Sequence, residues 1–147
     1  MKIPALLLAL TAVATLPVHA QAPGAEEAKV RTVVDSYLHG LKFNDVESLK
    51  KAFLPEAKLY YVGKDGKLAQ YTQADWYKGF VGSAGKEEKG VLRIAAVEVT
   101  KDAASVKVVE DYPSGNGSTT RYTDYLSLLK LEGRWWIVNK IYTVEKR

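Results

Sequence analysis

The sequence predicts a single α+β domain, in which N-terminal helices pack on one face of a strongly curved, mainly antiparallel sheet. Apolar residues recur every three or four positions in the first part of the chain and alternate in the last part. The first spacing is typical of an amphipathic helix and the second of strands. Helices followed by a run of strands indicate an α+β domain. Because long strands twist, the sheet should curve and leave an internal pocket beneath the helices.

The first twenty residues have the layout of a secretory signal peptide. Lys2 supplies a positive charge, and the apolar segment Ala5–Leu16 is followed by a proline and small residues. We expect cleavage after Ala20 and a periplasmic or secreted product. We expect no membrane anchor, because this segment is shorter than the ~20 residues of a spanning helix and no second one follows. Residues 21–25 should form a flexible leader and residues 26–147 the single domain.

Composition and charge exclude several function classes. The formal net charge is +4, and basic residues are interleaved with acids, as in residues 86–89. Because nucleic-acid-binding proteins gather basic residues on one face, we expect no nucleic-acid partner. The chain has no cysteine, which excludes disulfides and thiol catalysis. His39 is the single histidine after the predicted cleavage site, so we expect it at the surface or a rim, with no metal and no cofactor.

Two helices are predicted first. The earlier one presents an apolar stripe on one face, formed by Val30, Val33, Val34, Tyr37, Leu38 and Leu41. The next should begin at Asn44 as its N-cap, with Glu47 three residues on in a capping box. Pro55 should end it, because proline cannot continue a helix.

The remaining elements are mostly strands. A strand at 58–62, a turn centred on Asp65-Gly66 and a returning strand at 68–71 predict a hairpin. Thr72 should cap a third helix, with Trp76 on its buried side. Four further strands are predicted at residues 91–100, 104–112, 119–131 and 134–144. Their short connections make them antiparallel neighbours.

Three segments together resemble a known superfamily. They are the helical residues 35–40, the segment 52–57 and, most specifically, the paired strands of residues 122–140. This pattern resembles the nuclear transport factor 2-like (NTF2-like, cystatin-like cone) superfamily, and within it the lumazine-binding and polyketide cyclase-like group of bacterial proteins. The resemblance spans residues 26–142. It implies a cone of three helices on a bent sheet around a pocket, often dimeric through the sheet. Because relatives include isomerases, dehydratases, cyclases and pure binding modules, it implies no single activity.

Asp124 is the best candidate for a catalytic residue. It lies in a strand among apolar residues, where a carboxylate is costly without a partner. A three-residue turn after Lys130 would put Asp124 opposite Lys140, whereas a two-residue turn would put the two on opposite faces. In the functional interpretation Asp124 is a general base in the pocket, held by Lys140. In the alternative it forms a cross-strand ion pair or bonds a buried hydroxyl.

Aromatic residues are candidates for the pocket lining. We expect Tyr37, Tyr60 and Trp76 there, beside Asp124 and Lys140, because tyrosine combines an apolar ring with one hydrogen-bond donor. Packing in the core or at an interface is the alternative for most tyrosines. Consecutive strand residues point to opposite faces, so one residue of the Trp135-Trp136 pair should lie on the outer face of the sheet. We expect a homodimer through that face.

The sequence therefore favours an exported pocket protein that binds a small apolar or aromatic ligand without chemistry. This interpretation rests on plentiful aromatic residues and on the absence of any recognisable acid–base motif. One alternative is a cofactor-free isomerase, dehydratase or cyclase acting on a small carbonyl-bearing substrate. A second is a non-catalytic interaction module that uses the outer face of the sheet.

Overall fold

A computed structural model of the protein describes residues 24–147, so the predicted signal sequence at residues 1–20 lies outside the described residues. The helices are α1 (Ala25–Phe43), α2 (Val46–Ala52) and α3 (Gln73–Tyr77), which continues as a 3-10 helix (Lys78–Ser83). The strands are β1 (Phe53–Val62), β2 (Leu68–Thr72), β3 (Val91–Thr100), β4 (Ala103–Pro113), β5 (Thr119–Leu131) and β6 (Arg134–Lys146). In this part of the chain no helix is both long and apolar enough to span a bilayer.

The six strands form one open, mixed sheet in the order β2-β1-β6-β5-β4-β3. Strand β1 is parallel to β6, and every other neighbouring pair is antiparallel. The helices pack on one face of this sheet, which confirms the predicted α+β class. The apolar stripe of α1 is buried against the inward residues of β4, β5 and β6, which include Val106, Val108, Leu126, Leu128, Trp135 and Ile137.

Trp135 and Trp136 lie on opposite faces of the sheet. Trp135 is buried beneath α1, and its indole N–H donates to Glu26 Oε2 at 2.8 Å. Trp136 lies on the outer face, where the Arg134 guanidinium stacks 3.7 Å from its ring centroid. Because side chains alternate along β6, Trp135 binds the start of α1 and Trp136 is left half-exposed on the other face.

The N-cap of α2 is Asp45 rather than the predicted Asn44. Asn44 has a left-handed backbone (φ 52°) and ends α1, and asparagine tolerates this conformation. The Asp45 carboxylate accepts the backbone N–H groups of Glu47 and Ser48. The predicted N-cap was therefore one residue too early, because Asn44 and Asp45 are both residue types that can cap a helix.

Strand β1 begins at Phe53, five residues earlier than predicted. Pro55 lies inside this strand, although it was expected only to end the preceding helix. Strand β2 pairs with β1 from Lys58 onward, so Pro55 has no strand on that side. Proline is tolerated there because its missing N–H faces no partner.

The β5–β6 hairpin combines a two-residue turn with a β-bulge. Glu132 (φ 49°) and Gly133 (φ 81°) both have positive φ, as a tight two-residue hairpin turn requires. The register then shifts by one residue at Val138 in β6. Asp124 consequently pairs with Tyr142, and Lys140 is its diagonal neighbour on the same face. The two-residue alternative describes the turn, but the bulge places Asp124 and Lys140 on the same face, which that alternative did not predict.

Candidate functional site

A hydrogen-bonded cluster of Tyr37, Asp124 and Lys140 is buried between α1 and the sheet. The Lys140 ammonium donates to Asp124 Oδ2 at 2.8 Å and to the Tyr37 hydroxyl oxygen at 2.7 Å. The Tyr37 hydroxyl in turn donates to Asp124 Oδ2. Asp124 is fully buried, and this network supplies the partners that a buried carboxylate requires.

Glu110 is the fourth member of this cluster, and the sequence analysis missed it. It lies on β4 as a diagonal neighbour of Asp124 and is buried, with Oε1 3.2 Å from the Tyr37 hydroxyl. The Tyr112 hydroxyl donates to Oε2 at 3.2 Å. Strand alternation contained the missing signal, because Glu110 shares its face with Val106 and Val108.

The surroundings of Glu110 favour its protonated form. Burial, and then the negative charge of Asp124 beside it, raise the pKa of Glu110 to about 8. Burial and the two neighbouring carboxyl groups also raise the pKa of Tyr37 well above its ordinary value, so its hydroxyl keeps its proton. Beside these two groups, Lys140 and Asp124 form an ion pair at 2.8 Å.

One oxygen of the buried Asp124 carboxyl group has no hydrogen-bond partner. Among residues 24–147, this is Oδ1. Glu110 is the acid beside Asp124, and its interaction with Asp124 contributes to the raised pKa of Glu110. Because a protonated carboxyl group is a hydrogen-bond donor, a proton on Glu110 would supply a donor next to Asp124.

An open cavity of about 460 Å³ lies next to this cluster. Its apolar walls are formed by Leu41, Leu59, Trp76, Phe80, Tyr122 and Tyr142. Its lining also includes the polar residues Lys140, Glu110, Asn44, Glu88, Ser114 and Thr120. The Lys140 ammonium is 5.4 Å from the ring centroid of Trp76 and 5.0 Å from that of Tyr142. Aromatic faces at this distance stabilise a cation, so they hold Lys140 at the cavity surface.

The structure places the predicted site residues in three different positions. Trp76 and Lys140 line the cavity, whereas Tyr37 and Asp124 lie behind Lys140 and do not line it. Asp124 is therefore sealed from the cavity and is not positioned to take a proton from a ligand. Tyr60 lies on the outer face, because it pairs with the outward residue Ile141 of β6. The neighbour of Tyr60, Leu59, lines the cavity, and Tyr60 does not.

His39 lies on the exposed side of α1, away from the cavity. Its Nδ1 is 3.6 Å from Asp45 Oδ2, and its ring packs on Phe43. Within the described residues, no three His, Cys, Asp or Glu side chains are close enough to hold a metal ion.

The chain is similar to a protein family over most of its length. A family model described as "Putative lumazine-binding" matches residues 25–143, which include all six strands apart from the end of β6. Among curated proteins, the chain is 26% identical over 107 residues to "Aldolase FrzH" from a Cladobotryum species, covering 72% of this chain and 81% of that protein.

Solved structures share this fold. An NTF2-like protein of unknown function from Shewanella baltica is 28% identical, with a TM-score of 0.72 over 82% of this chain and 94% of that one. A second, from Silicibacter pomeroyi, is 25% identical, with a TM-score of 0.68 over 82% of this chain and 96% of that one. A bent sheet with helices on one face therefore recurs in these proteins.

Proposed function

We propose that the cavity of this protein binds a small planar molecule. The premise is that the chain belongs to the lumazine-binding family of NTF2-like proteins. The observation that carries this proposal is the aromatic cavity beside Lys140. A volume of about 460 Å³ lies within the range of small-molecule sites, and the walls combine aromatic rings with polar groups that can orient a ligand.

Binding without chemistry is the function that the site supports best. Asp124 is fully buried behind Lys140 and Tyr37, so its carboxyl group cannot act on a ligand directly. The walls offer stacking surfaces at Trp76, Phe80 and Tyr142. A flat ring system placed between them would bury its faces against other rings.

The binding function is tested with protein purified from its own host. Native mass spectrometry should detect a small molecule that dissociates on denaturation. Its occupancy should fall in Trp76→Ala, which removes a cavity wall, and remain in Trp136→Ala, which removes a tryptophan from the outer face. Lumazine, a planar dione suggested by the family description, is the first compound to titrate by calorimetry. Recovery of no ligand, together with no binding of lumazine or other planar dicarbonyl compounds, would contradict the proposal.

A second candidate function is catalysis of proton transfer on a carbonyl compound. Glu110 lines the cavity and has a pKa near 8, and a catalytic acid or base works best when its pKa lies near the working pH. The similarity to a protein named as an aldolase is consistent with this chemistry. The test is exchange of the α-protons of a bound ketone for deuterium, followed by NMR. Wild type should accelerate exchange and Glu110→Gln should not.

We propose that the protein is exported. The support is the N-terminal charge, apolar segment and small-residue site that precede Gln21. Cell fractionation and N-terminal sequencing should find a mature chain that begins at Gln21. A cytoplasmic chain that keeps its first twenty residues would contradict export.

We also propose a homodimer through the outer face of the sheet. Tyr125 (47% exposed) and Ile141 (49% exposed) are apolar residues on that face, next to Tyr60. Exposed apolar patches favour association. Light scattering should give twice the mass of one chain at micromolar concentration, and Ile141→Lys should give the single mass. A single mass for wild type would contradict the dimer.

A further inference from the structure

The Lys140 ammonium is a hydrogen-bond donor in the lining of the cavity. A lysine ammonium has three N–H groups. Among residues 24–147, Lys140 donates to Asp124 and to Tyr37, neither of which lines the cavity. The third N–H therefore remains for a ligand that reaches Lys140 in the cavity.

The charge of Lys140 is already compensated. Asp124 forms an ion pair with it at 2.8 Å, and burial and the nearby Asp124 raise the pKa of Glu110 to about 8, which favours the neutral form of Glu110 at pH 7. A ligand with a carboxylate next to Lys140 would bring a charge without a counter-charge of its own into the partly buried cavity, and this is unfavourable. An ammonium at the same place would face Lys140 directly and would also be unfavourable.

We propose that the ligand bound in this cavity presents a neutral carbonyl oxygen at its buried end, and that this oxygen accepts the third N–H of Lys140. The proposal rests on the proposed binding function and names the chemical class of its ligand: a planar, uncharged ketone, lactam or quinone-like molecule. A carbonyl oxygen accepts the N–H of Lys140 without adding charge, and the ring of the ligand packs against the aromatic side chains of the cavity.

Ionisation of Glu110 should weaken this recognition. A Glu110 carboxylate would become a second counter-charge and a competing acceptor for Lys140. Other titratable groups that face it are Tyr37 on α1, Tyr112 on β4 itself, Tyr122 and Asp124 on β5, Lys140 and Tyr142 on β6, and Glu88 at the rim. Burial raises the pKa of Tyr112 and of Tyr142, so neither loses its proton near pH 8. Glu88 is held at the rim by the side chain of Asn44.

Three naphthalene probes separate the possibilities in a calorimetric titration at pH 7. They are 2-acetylnaphthalene, its planar alkene analogue 2-isopropenylnaphthalene, and 2-naphthoate. We expect the ketone to bind about tenfold or more tightly than the alkene, because a hydrogen bond to a charged group is among the stronger ones. We expect the carboxylate to bind more weakly than the ketone.

The possible outcomes distinguish the two proposals. Equal binding of ketone and alkene, or tightest binding of the carboxylate, overturns the carbonyl inference and leaves the binding function standing. No binding of any probe to folded protein overturns both.

Two variants test the residues involved. Lys140→Met combined with Asp124→Leu removes both charges together, and it should abolish the preference for ketone over alkene. Between pH 7 and pH 9 the wild type should lose up to about tenfold in ketone affinity, as the fraction with neutral Glu110 falls. Glu110→Gln should show no such dependence on pH. A preference for ketone that survives in the double variant, or the same pH dependence in Glu110→Gln, overturns the inference.

Discussion

The Lys140 ammonium lies 2.8 Å from the Asp124 carboxylate, and both side chains are buried against the underside of α1. Each of the two buried side chains is therefore stabilised by the opposite charge of the other. Lys140→Met should lower the free energy of unfolding by about 3–5 kcal/mol, because it leaves a buried carboxylate without its counter-charge. Lys140→Met combined with Asp124→Leu should lower the free energy of unfolding by less than Lys140→Met alone. Urea denaturation of both variants measures this, and a double variant less stable than Lys140→Met would contradict it.

The Tyr37 hydroxyl connects three charged or acidic groups to helix α1. Tyr37→Phe should lower the free energy of unfolding by about 1–3 kcal/mol, because buried partners lose a hydrogen bond without gaining access to water. Tyr60→Phe on the outer face is the matched control and should change stability by less than about 0.5 kcal/mol. Equal effects of the two changes in chemical denaturation would show that the hydroxyl network adds no stability.

Glu110 should make the protein less stable as pH rises. Its pKa is about 8 in the folded chain against an ordinary 4.5, so between these values the unfolded chain releases the proton first. The contribution of Glu110 to the free energy of unfolding should fall by up to about 1.4 kcal/mol per pH unit in this window. Glu110→Gln should lack this contribution. Parallel stability curves for the two proteins from pH 5 to pH 8 would contradict the raised pKa.

Gly40 allows α2 to pack closely on α1. A Cβ at this position would lie 2.6 Å from Leu49 Cγ, which is inside contact distance for a fully buried side chain. Gly40→Ala should therefore lower the free energy of unfolding by about 1–3 kcal/mol through overpacking. Gly79→Ala, where no atom lies within 4 Å of the added carbon, is the control and should have little effect. Thermal denaturation of the pair checks the difference.

Glu26 should help to set the stability of the protein in acid. Hydrogen bonds from Lys29, Lys130 and Trp135 lower the pKa of Glu26 to about 2. Its folded pKa is thus below the ordinary 4.5, so its contribution is complete above pH 4.5 and is lost as pH falls towards 2. Glu26→Gln should unfold with a weaker dependence on pH in this window. An acid unfolding profile identical to wild type would contradict this role.

The strands and the face of α1 could be predicted from the sequence because single periodic patterns determine them. The alternation of β3 to β6 and the stripe containing Tyr37 each fit one arrangement only. The boundary between α1 and α2 could not be assigned, because Asn44 and Asp45 are both good capping residues and backbone geometry decides between them.

The site was harder to predict because its register depends on a bulge. Whether Asp124 and Lys140 share a face is decided by one extra residue at Val138, which no local pattern marks. Tyr60 was assigned to the wrong face because either half of the Tyr60-Tyr61 pair fits an alternating strand. Glu110 was missed because its neighbour in space, Asp124, is remote in the sequence, and only the assembled sheet brings the two acids together.

Helix α1 is fastened to the sheet at two points about three turns apart. Glu26 binds Trp135 and Lys130 near its start, and Tyr37 binds the strand residues Asp124 and Lys140 farther along. A helix held at two points this far apart cannot tilt without breaking one of the contacts, so α1 fixes the width of the cavity beneath it. The loop that contributes Glu88 to the cavity lining is in turn hydrogen-bonded to Lys42 and Asn44 at the end of α1. The cavity should therefore exist before any ligand enters it, and binding should require no large rearrangement of the backbone.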